Sequence, residues 1–206
     1  NTIALYFRTF ITMIVGLYTG SVMLQALGVD NYGINNVVGG IVAMSSLITA
    51  TMSAAISRYI TYALGKDDKD HLKTTFSTSV NAQIVMSIIA IIVLETGGLW
   101  FLNTAAQIPQ GRENAAFWVF QCSLISLAIG LVSSPYNALL VAHERMGIYA
   151  YTSIAEAILK LSICFVILAY GGDRLILLAI LTVLVGLGMR IFYGWYCGKN
   201  FEEAHY

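Results

Sequence analysis

The sequence predicts an all-α fold, a polytopic membrane helical bundle with six transmembrane helices. Three observations predict it. Of the 206 residues, 58% are hydrophobic and only 11% are charged, against about 25% charge in an ordinary soluble domain; the mean hydropathy is +0.75. The apolar residues gather into six blocks, at 3–27, 37–64, 74–102, 115–142, 149–170 and 175–196, each near the roughly 20 residues that cross a bilayer as helix. The cations are also sorted by side. Of the 11 Lys and Arg, nine (Arg8, Arg58, Lys66, Lys69, Lys73, Arg145, Lys160, Arg190 and Lys199) lie in or beside the segments that one topology places inside. Only Arg112 and Arg174 lie outside, which is the bias of the positive-inside rule.

The first block is interrupted by Arg8 and Gln25 and ends where Leu27 to Asn36 supplies turn formers: Gly28, Asp30, Asn31 and Gly33. The second block carries Arg58 near its end and stops at Gly65. The polar run KDDKDHLK that follows is expected to be a solvated loop. Ile84 to Leu94, the centre of block three, is nearly continuous Ile, Val, Ala and Met. A lipid-facing barrel strand would alternate instead. The β-branched run Ile88–Val93 favours strand in water, but hydrocarbon demands internally satisfied backbone groups, so helix wins. Pro109 and Gly111 break the next connection. Block four carries Pro135 near its inner end, where the missing donor is expected to kink the helix. His143 to Gly147 makes an inner turn, and Gly171, Gly172 and Asp173 make an outer one. The tail from Gly198 returns inside, putting both ends of the chain in the cytoplasm. Trp100, Tyr151, Tyr170, Tyr193, Trp195 and Tyr196 fall toward block ends, where their rings suit the headgroup region.

A zero net charge, with no basic cluster beyond Lys66–Lys73, excludes nucleic acid as a partner. Cys122, Cys164 and Cys197 are far apart in or beside apolar blocks, matching neither a disulfide framework nor a zinc site; the isolated histidines add no metal site. No cofactor is expected. P-loop, GxSxG and HExxH patterns do not occur, so the chain is not expected to be an enzyme. The start does not read as a signal peptide, and an opening on Asn1 leads one to expect residues upstream.

The candidate site residues are the polar groups at membrane depth. Arg8 and Arg58 share a side and a depth; each either anchors the interface by snorkelling or faces an aqueous cavity where an anionic headgroup offsets their repulsion. Glu95, near the outer third of block three and close to Gly97 and Gly98, either marks a helix already ending or needs a partner. Glu156 and Lys160 are four apart on one helical face, as a structural ion pair or as cavity lining. Asn81, Gln83, Gln121 and Asn137 either join helices or contact sugar hydroxyls. Gly16 with Gly20, Gly39 with Ala43 and Ser53 with Ser57 are small-xxx-small pairs that permit close helix packing, and Gly16, Gly20 and Pro135 are the candidate hinge positions.

Three stretches carry a family resemblance: LYTGSVMLQALGVDNYGINNVVGGIVAM (Leu17 to Met44), SAAISRYITYALGKDD (Ser53 to Asp68) and SSPYNALLVAHERMGIYAYTSIAEAILKL (Ser133 to Leu161). With these the whole chain resembles polysaccharide flippases of the multidrug/oligosaccharidyl-lipid/polysaccharide exporter superfamily, in particular lipopolysaccharide (O-antigen) biosynthesis transporters. The resemblance implies an alternating-access carrier in the bacterial inner membrane. It would move polyprenyl-diphosphate-linked oligosaccharide from the inner to the outer leaflet, alongside polysaccharide assembly machinery. Members have two lobes around a cationic cavity. Residues 1–206 resemble the N-terminal lobe alone, so a C-terminal transmembrane lobe is the implied partner. By helix and depth, Arg8 and Arg58 correspond to the family's headgroup-binding cations. An ion-coupled multidrug-extrusion exporter and a non-transport membrane scaffold are the alternatives.

Overall fold

The computed structural model describes residues 2–44, 46–65, 69–104, 108 and 111–201. Six helices follow one another: α1 (Thr2–Met44), α2 (Ser46–Gly65), α3 (Lys69–Thr104), α4 (Glu113–Ala142), α5 (Met146–Ala169) and α6 (Arg174–Asn200). Among the described residues, five stretches are long and apolar enough to cross a membrane: Tyr6–Ala43, Asp70–Leu102, Glu113–Ala142, Met146–Ala169 and Arg174–Asn200. The architecture is an all-α polytopic membrane bundle.

The first connection differs most from expectation. In place of a ten-residue turn, the helix breaks at a single residue, Gly28 (φ 77°, ψ 169°). That φ lies in the left-handed region, which glycine enters without a Cβ clash, so one residue suffices to reverse the chain. Met23 and Asn35 measure the reversal. Twelve residues of straight helix would separate them by about 18 Å, yet Asn35 Nδ2 lies 3.8 Å from Met23 Sδ. The helix end before Gly28 has carbonyls in need of donors. Asn31 Nδ2 donates to the Leu27 carbonyl at 3.0 Å, and Arg174 Nη1 donates to the Ala26 carbonyl at 2.9 Å. Asn31, expected in a turn, is thus helical and serves as a cap.

Two apolar clusters sit at opposite ends of the bundle. At the Gly28 end, Ala26, Leu27, Ile34 and Val38 pack with Leu102, Phe120, Ile167 and Leu175. At the other end, Ile56, Ile60, Phe76, Tyr136, Leu139 and Phe201 pack together. Residues 29–44 and α2 therefore make one crossing between them, since Ile34 and Ile60 belong to opposite clusters. Phe201 and Arg8, which stacks on Tyr149 of α5, both lie at the second end, the termini end.

Other boundaries move by a few residues. Lys69 to Lys73, expected in a loop, is the first turn of α3, and α3 runs through Gly97 and Gly98 to Thr104. At about 54 Å it exceeds the roughly 30 Å hydrocarbon core, so it tilts or projects. Gly98 is required there: a Cβ would come 2.5 Å from the Phe120 ring. The α5 helix starts at Met146 rather than Tyr149, and α6 continues through Asn200. Lys66, Pro109 and His205 lie outside the described residues. Trp100, Tyr151, Tyr170 and Trp195 are exposed, but Tyr193 is buried and donates to Thr152 Oγ1 at 2.9 Å. Its position in the sequence near a block end concealed a hydroxyl partner one helix away.

Candidate functional site

Cavity-lining residues, most of them polar, recur at helical spacing on three helices. Ser126, Gly130, Ser133 and Asn137 do so on α4, Tyr149, Ser153, Glu156 and Lys160 on α5, and Thr182, Gly186, Met189 and Tyr193 on α6. Steps of three or four put each set on one face. The three faces converge on a cavity of about 260 Å³. Toward the termini end it shares Gly130, Asn137 and Tyr149 with a cavity of about 390 Å³, whose α2 wall includes Ser53 and Ser57. Toward Gly28 it shares Ser126, Lys160 and Thr182 with a third cavity, of about 440 Å³, walled on α1 by Thr19, Met23, Asn35 and Gly39. The three adjoin as a polar seam along the bundle.

The chemistry of the seam follows from its hydrogen bonds. Ser133, Ser153, Thr182 and Thr19 each donate to the carbonyl four residues back, at 2.6 to 2.8 Å. With those protons committed to the helix backbone, the hydroxyls present lone pairs to the cavity. The seam is therefore rich in acceptors for the hydroxyl protons of a ligand. Ser53 and Ser134 hydrogen-bond to each other across α2 and α4 at 2.5 Å. Asn137 Oδ1 is buried without a partner among the described residues. Pro135 is buried beside it, and its missing N–H leaves the Leu131 carbonyl without the usual helical donor.

Charge enters the seam at two places. Lys160 Nζ pairs with Glu156 Oε1 at 2.7 Å, and both side chains keep substantial exposure to the cavity. The ion pair and the cavity lining, alternatives in the sequence, coincide. Lys160 is grouped by sequence with the inner cations, yet it stands some 21 Å along α5 from Met146, well inside the helix. At the termini end the Arg8 guanidinium lies 4.7 Å over the ring of Tyr149. Its Nε is buried with no hydrogen-bond partner among the described residues.

The remaining candidates lie elsewhere. Arg58 is on the exposed face of α2, beside the cavity-lining Ser57. Asn81 is on the exposed face of α3 and walls none of the three cavities. Glu95 is mid-helix rather than at a helix end: its Oε1 accepts from Gln121 Nε2 of α4 at 2.7 Å, while its Oε2 is buried and unpartnered. Gln83, fully buried in α3, has neither amide atom partnered among the described residues. A Cβ at Gly16 or Gly20 would meet no atom within 4 Å; this small-residue pair brings no helix of the described chain into close contact. Ser53 and Ser57, by contrast, do face α4.

Ser126, Ser133, Ser153, Thr182 and Tyr149 were not singled out in the sequence as site residues. The signal was present as polar stripes at steps of three and four on three consecutive apolar blocks, which lipid would expel toward the bundle interior. The chain matches no family model, no curated protein and no solved structure.

Proposed function

We propose that this bundle is one lobe of a carrier that moves a polyprenyl-diphosphate-linked oligosaccharide from the inner to the outer leaflet of the bacterial inner membrane. The observation that carries the proposal is the acceptor-rich seam with cations at its middle and its termini end. Hydroxyl lone pairs and amides suit a saccharide, and Lys160 and Arg8 suit the diphosphate. A scaffold would have no use for such a seam, because polar groups in a lipid-embedded interior cost stability unless they serve a ligand or a partner. An exporter of small cations would need unneutralised carboxylates on its cavities; Glu156 already carries Lys160 as its counter-ion, and Glu95 walls none of the three. The family resemblance supplies the lipid carrier, the direction and the second lobe.

The sorted cations support a cytoplasmic location for the termini end. Externally added thiol reagents should label cysteines introduced at Asn31 and Asp173 but not at Glu144; the reverse pattern would overturn this orientation. Function is tested by saccharide export from cells expressing the full-length protein at matched levels. Arg8→Ala and Lys160→Ala should each lower export, since a charge-assisted bond inside the bundle contributes about 1.5–3 kcal/mol. Lys66→Ala and Lys69→Ala should leave it near wild type, because solvent-screened charges contribute well under that. Equal loss in all four, or none, would defeat the proposal.

A further inference from the structure

Lys160 is shared by the middle cavity and the Gly28-side cavity, whereas Glu156 lines only the middle one. The two are one turn apart on α5 and joined at 2.7 Å. A lysine within a membrane-length helix is stabilised by a counter-charge, and Glu156 provides it. The other lining residues of the middle cavity are neutral; beyond them, Arg8 stacks on Tyr149 and Arg190, next to Met189, stacks on Tyr136.

We infer that Glu156 is an internal competitor for Lys160. An anionic ligand group must displace the Glu156 carboxylate to reach Nζ, and this exchange sets how tightly the seam holds it. The inference rests on the diphosphate reading above and adds the residue that tunes affinity. A diphosphate offers several oxygens to one ammonium and can take Glu156's place. The displaced carboxylate stays one turn away and recovers Nζ when the ligand moves on. A carrier needs this, because a cation without a competing anion would retain its ligand on the far side. Since Lys160 borders both cavities, the exchange falls where a ligand passes from one to the other.

The test is equilibrium binding of farnesyl diphosphate to the purified full-length protein in lipid nanodiscs, at one pH and ionic strength. Lys160→Gln should weaken binding about tenfold, the effect of one charge-assisted contact, and Lys160→Arg should largely retain it. Glu156→Gln should tighten binding by about tenfold, a gain that misfolding cannot produce. In the Lys160→Gln background, Glu156→Gln should change affinity by only about twofold or less, because the competition has no object. Unchanged or weaker binding by Glu156→Gln would overturn the inference. So would the same tightening with and without Lys160, which would mean simple repulsion between anions. If neither wild type nor Glu156→Gln binds the probe, the diphosphate reading falls as well. If every variant binds it equally, only the exchange falls.

Discussion

The two ends of the bundle spend their polar groups differently. At the Gly28 end each described cation is used to build. Arg112 pairs with Asp173 at 2.8 Å, Asp173 also caps the start of α6 through the Leu175 amide, and Arg174 closes the broken end of α1 on the Ala26 carbonyl. Toward the termini end and the middle, cations and hydroxyls are left available. Among the described residues Arg8 Nε and Asn137 Oδ1 are buried and unpartnered, Arg58 is exposed, and hydroxyl lone pairs face cavities. The unpartnered buried atoms toward the Gly28 end, Asn31 Oδ1 and Glu95 Oε2, are by contrast acceptors only. A membrane bundle can be held by polar contacts at one end while its remaining polar groups stay ready for a ligand. Residues of similar chemistry therefore divide into those whose loss weakens the fold and those whose loss weakens binding.

Substitutions sharpen that contrast, beginning with the largest expected change in stability. Phe120→Ala empties the centre of the Gly28-end cluster, where the ring is fully buried; unfolding in detergent should show a loss of about 3–5 kcal/mol. Arg174→Ala leaves the Ala26 carbonyl without its donor and should lower stability by about 1.5–3 kcal/mol in the same assay. Gly98→Ala drives a Cβ into the Phe120 ring and should cost about 1–3 kcal/mol; an unchanged melting temperature would mean that α3 and α4 separate easily at this point. Arg112→Ala breaks an ion pair whose side chains are 39% and 37% exposed, so only about 0.2–1 kcal/mol should be lost. Arg58→Ala at the other end, on an exposed face, should alter stability by no more than about 0.5 kcal/mol. If Arg58→Ala destabilised the protein as much as Arg174→Ala, the two ends would not differ in kind.

Much of the fold was legible along the chain. Gly171 to Asp173 marked a turn, and Asp173 is the cap of α6. The apolar blocks predicted α4 to within two residues at its start. The first connection was misjudged because turn-forming residues were counted, whereas only Gly28 needs a conformation that other residues avoid. Ile34, within that supposed turn, and Val38, four residues on, already followed helical spacing. The Glu156–Lys160 pair could be anticipated from its i, i+4 spacing, but Glu95 with Gln121 could not. Twenty-six residues separate the latter, and only the packing of α3 on α4 brings them together.

By itself the sequence determined that the chain is helical and lipid-embedded, because hydrocarbon forces backbone groups to pair within each segment and composition sets which segments those are. Tertiary structure alone decided which polar groups meet. It placed Arg8 on Tyr149, buried Tyr193 against Thr152 and aligned three polar stripes into one seam. Helical periodicity fixes the face on which a side chain stands, but the face it meets depends on how helices distant in sequence pack, and that is a property of the assembled bundle.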